Sequence, residues 1–540
     1  LTTRPIRAKT LSFFIAALVF GMAAAAEPQA PQAPAAPTPP EPQAIFEVHE
    51  YRVLGNTVLS NREIESALHA LIGDHKTLAD FEAARAALEK AIHDHGYNTV
   101  FVELPEQDIA DHVIRFQIRE VRLHDVRVNG ARHYSQRQIL AHLPAATAGS
   151  VPNLTALQAQ ISDLNAQTTD LNVVPSLKVG QEPDTVDLTL NVNDHLPFHG
   201  SLEFNNQNTP QTKPLRMVAS LSYGNLFQDF DNVSVQYQSS PQAFKEVKVF
   251  AASYASGALW EGIRPSAYFV DSDSNLAAVS SSGLLGKGYI FGSQLAVPLT
   301  DAPGMPQSLT VGAEYKHFLQ SVVSAGVASP PAPDAPLDSY LNLSLGYRGT
   351  WASDRWSGTL ATTLNYGPRG APNAAEATAS TATTDGASYL YLKTDGSVVI
   401  PVSGQFKLDL RAAGQYTSKP LILYEEMSMT GVNAVRGYLE AESLADKGVL
   451  GSVQLQSPTW RQSKASIGDL FMFYDEGYGR LFDPSPGVAG ALTLRSWGVG
   501  VHLLPGKSIT GSLTWADPLA SGPNTKRGDS RLLFDVRGAF

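Results

Sequence analysis

Two hydropathy periods divide the chain. Between residues 46 and 195 short alternating stretches are separated by segments with helical spacing; from Leu196 onward the helical spacing disappears and ten-residue stretches alternate apolar with polar side chains. Val233, Val235 and Tyr237 alternate with Ser234, Gln236 and Gln238, and Leu341, Leu343, Leu345 and Tyr347 with Asn342, Ser344, Gly346 and Arg348. Phe406, Leu408, Leu410 and Ala412 face away from Lys407, Asp409, Arg411 and Ala413. The last stretch sets Leu532, Phe534, Val536 and Phe540 against Arg531, Asp535 and Arg537. Such alternation suits strands with one face in lipid and the other in water, and also the strands of a soluble sandwich.

Gap lengths separate these alternatives. There are roughly sixteen such stretches, an even number as bacterial barrels have. Odd-numbered gaps, including Asp271 to Gly283, Ser321 to Asp338, Gly367 to Gly386 and Ser418 to Asp446, are long, whereas Thr300 to Pro306 and Arg461 to Lys464 are short. A barrel with short turns at the periplasmic end and long external loops has this asymmetry, and an even count returns the last strand to the side of the first. The prediction is a membrane all-β architecture over residues 196–540: a 16-stranded antiparallel barrel whose longest loop spans 418–445.

The segment before it repeats. Tyr51-Arg52-Val53-Leu54-Gly55 leads to Ser60, Arg62, Ile64 and Leu68, and Val126-Arg127-Val128-Asn129-Gly130 leads to Ser135, Arg137, Ile139 and Leu143, each match 75 positions on (130 minus 55). Each copy predicts a strand, a turn at Gly, a Ser-capped helix, a second helix (Leu78 to His93, Leu154 to Asn165) and two closing strands ending in Val113 to Ile118 and Val186 to Val192. Two α+β modules follow, at residues 45–122 and 123–195.

Composition adds the compartment. Arg4, Arg7 and Lys9 precede an apolar run from Leu11 to Phe20 and the small residues Ala24-Ala25-Ala26, the layout of a secretory signal over residues 1–26. Residues 27–44 are mostly Pro, Ala, Gln and Glu and predict an extended linker. No later run reaches the ~20 apolar residues of a membrane helix. A net charge of -11 argues against nucleic acid. The chain has no Cys, which excludes disulfides and thiolate metal sites.

Few residues carry candidate chemistry. His93 and His95 lack a third ligand in sequence, Asp271-x-Asp273-x-Asn275 has Leu276 and Ser282 where a calcium loop requires Gly and Glu, and Gly286-Lys287-Gly288 lacks the spacing of a phosphate loop. No G-x-S-x-G elbow is present. The reading is of a protein that is not an enzyme, without cofactor or metal. Two short motifs stand apart. Val435-Arg436-Gly437-Tyr438 places one cation inside the longest loop, and Phe473-x-Asp475-x-Gly477 follows on the strand after that loop's return strand, with Asp475 in phase with Phe471 and Phe473 and out of phase with Leu470, Met472 and Tyr474. If the latter three face lipid, Asp475 points into the lumen, where an inward-folded loop could bring Arg436 to it. Spacing alone favours a solvated external Arg and an ordinary lumen Asp, since lumen charges are common.

Signal peptide, paired modules, barrel strands and these two motifs in this order resemble the two-partner-secretion outer-membrane transporters, the type that exports filamentous haemagglutinins and haemolysins, whose modules are POTRA domains. The resemblance covers nearly all of the chain beyond the signal. It implies that the loop folds into the barrel and that Arg436 contacts Asp475, with Val435, Gly437 and Tyr438 completing one motif and Phe473 and Gly477 the other. It also implies outer-membrane residence among lipid, modules in the periplasm, and as partner a secreted exoprotein with an N-terminal secretion domain. Phe540 resembles the final aromatic read by the barrel-assembly machinery. Some members plug the pore with an N-terminal helix; the prolines of residues 27–44 disfavour one here and leave the loop as the main occluding element. The sister branch of the superfamily, the barrel insertases, is the alternative.

Overall fold

The computed structural model describes residues 45–540 apart from 110–111, 275–276, 280–282, 301–304, 320–322, 325–326, 329–336, 369–387, 462–466, 483, 485–488 and 505–507. The expected signal and linker, and part of the Asp271 to Ser282 stretch, lie outside the described residues. The chain forms two compact units, one ending at Ile118 and one running from Arg119 to Phe540 that also takes in Ile92–Phe101.

The first module contains β1 (Phe46–Val48), β2 (Glu50–Leu54), α1 (Asn61–Leu68), β3 (Gly73–Lys76), α2 (Leu78–Asp94), β4 (Val100–Glu103) and β5 (Val113–Glu120). Its sheet has the order β2-β5-β4, with β2 and β5 parallel, and β1 pairs separately with β3. Ser60 caps α1 in a reciprocal box with Glu63.

The second module repeats the order with β6 (Arg122–Asn129), α3 (Gln136–Ala141), α4 (Leu154–Ala166), β7 (Leu171–Val179) and β8 (Thr185–Asp194), in a β6-β8-β7 sheet. Ser135 and Asn153 cap the helices. Ile139, Leu157, Ile161 and Leu164 from the helices pack on Leu123, Val173, Leu188 and Leu190 from the sheet. The glycine of each repeat has the same cause. Gly55 and Gly130 adopt φ of 80° and 91°, and an added side-chain carbon would lie 2.8 Å from the Ile118 carbonyl oxygen and 2.3 Å from that of Val192.

The remainder is a closed antiparallel barrel of sixteen strands. In chain order they are β9 (Phe198–Asn205), β10 (Arg216–Gly224), β11 (Asn232–Ser239), β12 (Lys248–Ala255), β13 (Arg264–Ser272), β14 (Gly288–Thr300), β15 (Gln307–Leu319), β16 (Leu337–Ala352), β17 (Ser357–Gly367), β18 (Tyr389–Pro401), β19 (Lys407–Thr417), β20 (Lys447–Gln456), β21 (Ile467–Arg480), β22 (Ala491–Leu504), β23 (Ile509–Pro518) and β24 (Arg531–Ala539). A two-residue strand, Trp460–Arg461, adds to the pairing of β21. Closure pairs β24 with β9 from Asp535 opposite Asn205 to Ala539 opposite Ser201, and Phe540 exchanges backbone hydrogen bonds with Gly200. The fold expected from the alternation is the fold observed.

Apolar residues point outward on the strands. On β21, Leu470, Met472 and Tyr474 are between 39% and 57% exposed, while Phe471, Phe473 and Asp475 are at most 5% exposed. This is the inverse of a soluble core and is stable where the outer face meets hydrocarbon. Connections at the module end, such as 225–231 and 353–356, are short, whereas the far end carries the long connection 418–446. Module two meets the barrel at the 225–231 turn: Gln138 donates to Asn225 Oδ1 at 2.6 Å, the Ser135 N–H to Gln228 Oε1 at 2.8 Å, and the Phe230 ring lies 4.9 Å from His142.

Candidate functional site: a loop held across the lumen

Residues 418–446 connect β19 to β20 and fold back inside the barrel. An exposed loop of this length would solvate its polar groups; here Thr430, Glu442, Ser443 and Asp446 are all at most 2% exposed, and each turn of the loop is tied by side-chain bonds. Thr430 Oγ1 accepts the N–H groups of Glu442 and Ser443, and the Glu440 carboxylate accepts the Val432 N–H at 2.8 Å. Gly431 and Gly437, with φ of 124° and 92°, make the reversals on either side of Arg436.

Arg436 makes four side-chain hydrogen bonds and one through its backbone N–H. Its Nε donates to Asp475 Oδ2 and its Nη2 to Oδ1, both at 2.8 Å, a fork-to-fork pair. Nη1 reaches Gln454 Oε1 at 2.8 Å, Nη2 also reaches Ser452 Oγ at 3.0 Å, and the backbone N–H of Arg436 donates to Asp475 Oδ2 at 3.1 Å. The guanidinium carbon lies 3.4 Å from the centre of the Phe473 ring. Ser452 and Asp475 are direct cross-strand partners, as are Gln454 and Phe473, so two adjacent strands present one preformed receptor. The side chains of the ion pair are 12% and 1% exposed. A buried pair is tolerated only when its remaining donors and acceptors are satisfied, which Ser452, Gln454 and the backbone do here.

The other motif residues surround this contact. Val435 and Tyr438 are each 1% exposed and pack with Met427, Met429, Ala445, Leu450 and Leu494. The Tyr438 hydroxyl donates to the carbonyls of Arg495 at 3.0 Å and Ala520 at 2.8 Å. Gly477 stands beside Val435, with no room for a side chain between them. Phe540 is 72% exposed on the outer face, its ring against Phe198 and Gly200. Of the weaker candidates, His93 meets the Val100 carbonyl at 3.0 Å, and Lys287 is paired with Asp273 at 3.3 Å.

Two contacts of the loop were not anticipated from sequence. Glu442, fully buried, accepts from Thr525 Oγ1 at 2.6 Å and from the Thr525 and Asn524 N–H groups, tying the loop to residues 519–530. Glu425, 4% exposed, is bound by Lys316, Tyr340 and Tyr391 on a different stretch of the wall. The only hint in the sequence is an acidic pair, Glu425-Glu426, set in the apolar run Leu421-Ile422-Leu423-Tyr424 and Met427. Below the loop tip, toward the module end, the lumen keeps a cavity of about 480 Å³ whose wall includes Arg411, Gln454, Asp469, His502, Ser512 and Asp535.

Residues 46–120 match the ShlB-type POTRA domain, and residues 339–503, which contain both motifs, match the haemolysin secretion/activation protein family ShlB/FhaC/HecB. The chain belongs to the two-partner-secretion transporters. Among relatives, it is 24% identical over 478 residues to the outer membrane transporter CdiB of Dickeya dadantii, covering 84% of this chain and 80% of that one. It is 21% identical over 477 residues to the heme/hemopexin transporter protein HuxB of Haemophilus influenzae, covering 86% and 81%. The structure of CdiB from Escherichia coli superposes with a TM-score of 0.63 at 19% identity, covering 95% of this chain and 93% of that one. BamA from Haemophilus ducreyi lacking its POTRA domains 1-3 shares the fold, with a TM-score of 0.54 at 13% identity and coverages of 92% and 100%. This two-partner-secretion chain is thus an outer-membrane β-barrel protein of a transporter family.

Proposed function

We propose that the protein carries an unfolded exoprotein from the periplasm through its barrel, with the 418–446 loop as the barrier that must move. The observation that carries this reading is the Arg436 contact: a buried guanidinium with four side-chain hydrogen bonds holds a 29-residue segment (446 minus 418, plus one) inside a sixteen-stranded barrel, a size that leaves an aqueous channel when nothing fills it. A segment held by a few concentrated polar sites can leave as a unit when those sites are exchanged for other partners.

The two modules lie in the periplasm in this reading and catch an extended part of the cargo, which the lumen residues Arg411, Asp469 and Asp535 then pass along through hydrated contacts. Such exchangeable polar contacts suit a sliding chain better than an apolar wall would. The cargo is of the haemolysin or adhesin type, and its folding outside the cell opposes backsliding, so no nucleotide is consumed. Insertion of other barrels is less well supported: the family match and the higher structural similarity are to the secretion branch.

The test is secretion of a candidate exoprotein co-expressed with this protein, measured with barrel abundance. Wild-type protein should release it to the medium, and Arg436→Ala should change the amount released while the barrel assembles. Normal release by Arg436→Ala at normal barrel levels would remove the gate; no release by the wild type, with a deficit of other outer-membrane barrels on deletion, would favour insertion.

A further inference from the structure

Glu425 lies on the limb of the loop that precedes the VRGY motif, eleven positions before Arg436 (436 minus 425). Its carboxylate accepts three charged or hydroxyl donors from three strands: Lys316 Nζ of β15 at 2.7 Å and the Tyr340 hydroxyl of β16 at 2.8 Å on Oε1, and the Tyr391 hydroxyl of β18 at 2.7 Å on Oε2. Lys316 is itself buried and held by Glu314 at 3.2 Å, whose carboxylate also accepts from Tyr268 and Asn342. The Glu425 carbonyl accepts from Gln415 at 2.9 Å. Next to it, the Tyr424 ring lies 4.4 Å from that of Phe318 and directly over Gly286, where a side-chain carbon would stand 2.4 Å from its hydroxyl.

This network shares no residue with the Arg436 receptor. One end of the loop is fixed to the seventh, eighth and tenth barrel strands, the other to the twelfth and thirteenth. A carboxylate taken out of water in a loop needs such partners, and conversely the partners make that limb costly to withdraw.

We propose that Glu425 is a second anchor of the lumen loop, a positioning residue that keeps the pore closed when Arg436 is released, so that opening requires both sites to let go. The proposal rests on the reading of the loop as the barrier. Two independent anchors on different stretches of the wall act in parallel: either alone keeps the loop across the lumen, and only loss of both frees it.

The experiment uses the purified full chain in planar bilayers without cargo, together with maleimide labelling of Asn433→Cys at the loop tip, in a chain that has no other Cys. Expected is that Glu425→Ala and Arg436→Ala each raise open-state occupancy by less than about tenfold, and that the double variant exceeds the product of the two, with matching exposure of Cys at 433. Glu425→Gln in the Arg436→Ala background should fall between, since its amide oxygen still accepts from the tyrosines. If Glu425→Ala barrels fail to assemble, Tyr340→Phe with Tyr391→Phe carries the same expectation without stranding Lys316. Double-variant traces and labelling indistinguishable from Arg436→Ala alone overturn the second anchor. Because no cargo is present, this outcome is separate from a failure of secretion, which bears on the export reading.

Discussion

A side-chain carbon added at Gly477 would stand 3.0 Å from Cγ2 of Val435, in a gap also closed by Leu450 at 2.7 Å and Met429 at 3.3 Å. The last residue of one motif is therefore small because the first residue of the other occupies its space. The two motifs are the two halves of one packed contact, the loop supplying the knob and the wall the hole.

Gly477→Ala should push Val435 out of its slot and loosen the loop, at about 1–3 kcal/mol of overpacking. Channel recordings should show more frequent openings, and Val435→Ala in the same chain should restore closure. A Gly477→Ala barrel as quiet as wild type would show that the packing has slack.

Arg436→Lys tests the fork. Lysine keeps the charge but cannot bond Asp475 through two nitrogens while also reaching Ser452 and Gln454, and it loses the planar stack on Phe473. We expect a loss close to that of Arg436→Ala in loop retention, with about 1.5–3 kcal/mol lost from charged hydrogen bonds. Asp475→Asn should be as damaging, because a buried guanidinium left without its carboxylate costs roughly 3–5 kcal/mol. Swapping the charges, Arg436→Asp with Asp475→Arg, should restore little. Asp475 also accepts the backbone N–H of residue 436, which an Arg cannot do. Secretion and conductance of the swap measured beside the single variants check this.

Asn225 joins module two to the barrel. It holds φ of 61°, donates to the His133 carbonyl at 3.2 Å and accepts from Gln138 and from the Phe230 N–H. Asn225→Ala should lose these bonds and add about 1–2 kcal/mol for a left-handed backbone without a local bond. Hydrogen exchange across residues 131–142 should speed up while barrel strands keep their protection.

Asp194 gives module two a pH dependence. Burial acts to raise its pKa, but the N–H groups of Arg132, His133 and Tyr134 donate to one carboxylate oxygen at 2.8, 2.6 and 3.1 Å and together hold it below the usual value. A folded-state pKa below the unfolded value of about 3.9 contributes stability that is full above that pH and is lost as pH falls through the folded value. Asp194→Asn should therefore weaken protection of the 131–134 turn at pH 7, by about 1.5–3 kcal/mol, and the difference from wild type should shrink as pH falls below the unfolded value of about 3.9 and through the lower folded-state value. Hydrogen exchange at pH 7 and across that acid range measures it.

The parts of this protein that follow from backbone periodicity were readable in the chain. Alternation at period two set which face of each strand meets lipid, because successive side chains on a strand point oppositely whatever the neighbours are. Leu470, Met472 and Tyr474 thus separate from Phe471, Phe473 and Asp475 without any knowledge of pairing. Gap lengths fixed which ends carry the long loops, and the 75-residue offset revealed a module used twice. Arg436 and Asp475 stood out as a motif pair, but spacing alone did not join them.

Which wall a loop touches depends on closure of the barrel, which brings together residues with no sequence relation. Glu425 meets Lys316, Tyr340 and Tyr391 at separations of 109, 85 and 34 residues, on strands it does not adjoin. Local sequence determined the strands, the outward face, the repeated module and the cation within the VRGY motif, since those depend on steric and hydration preferences within a few residues. Only the tertiary structure decided where the loop goes and what grips it at each end, because burying a charge is settled by partners that the closed cylinder, and nothing nearer in the chain, supplies.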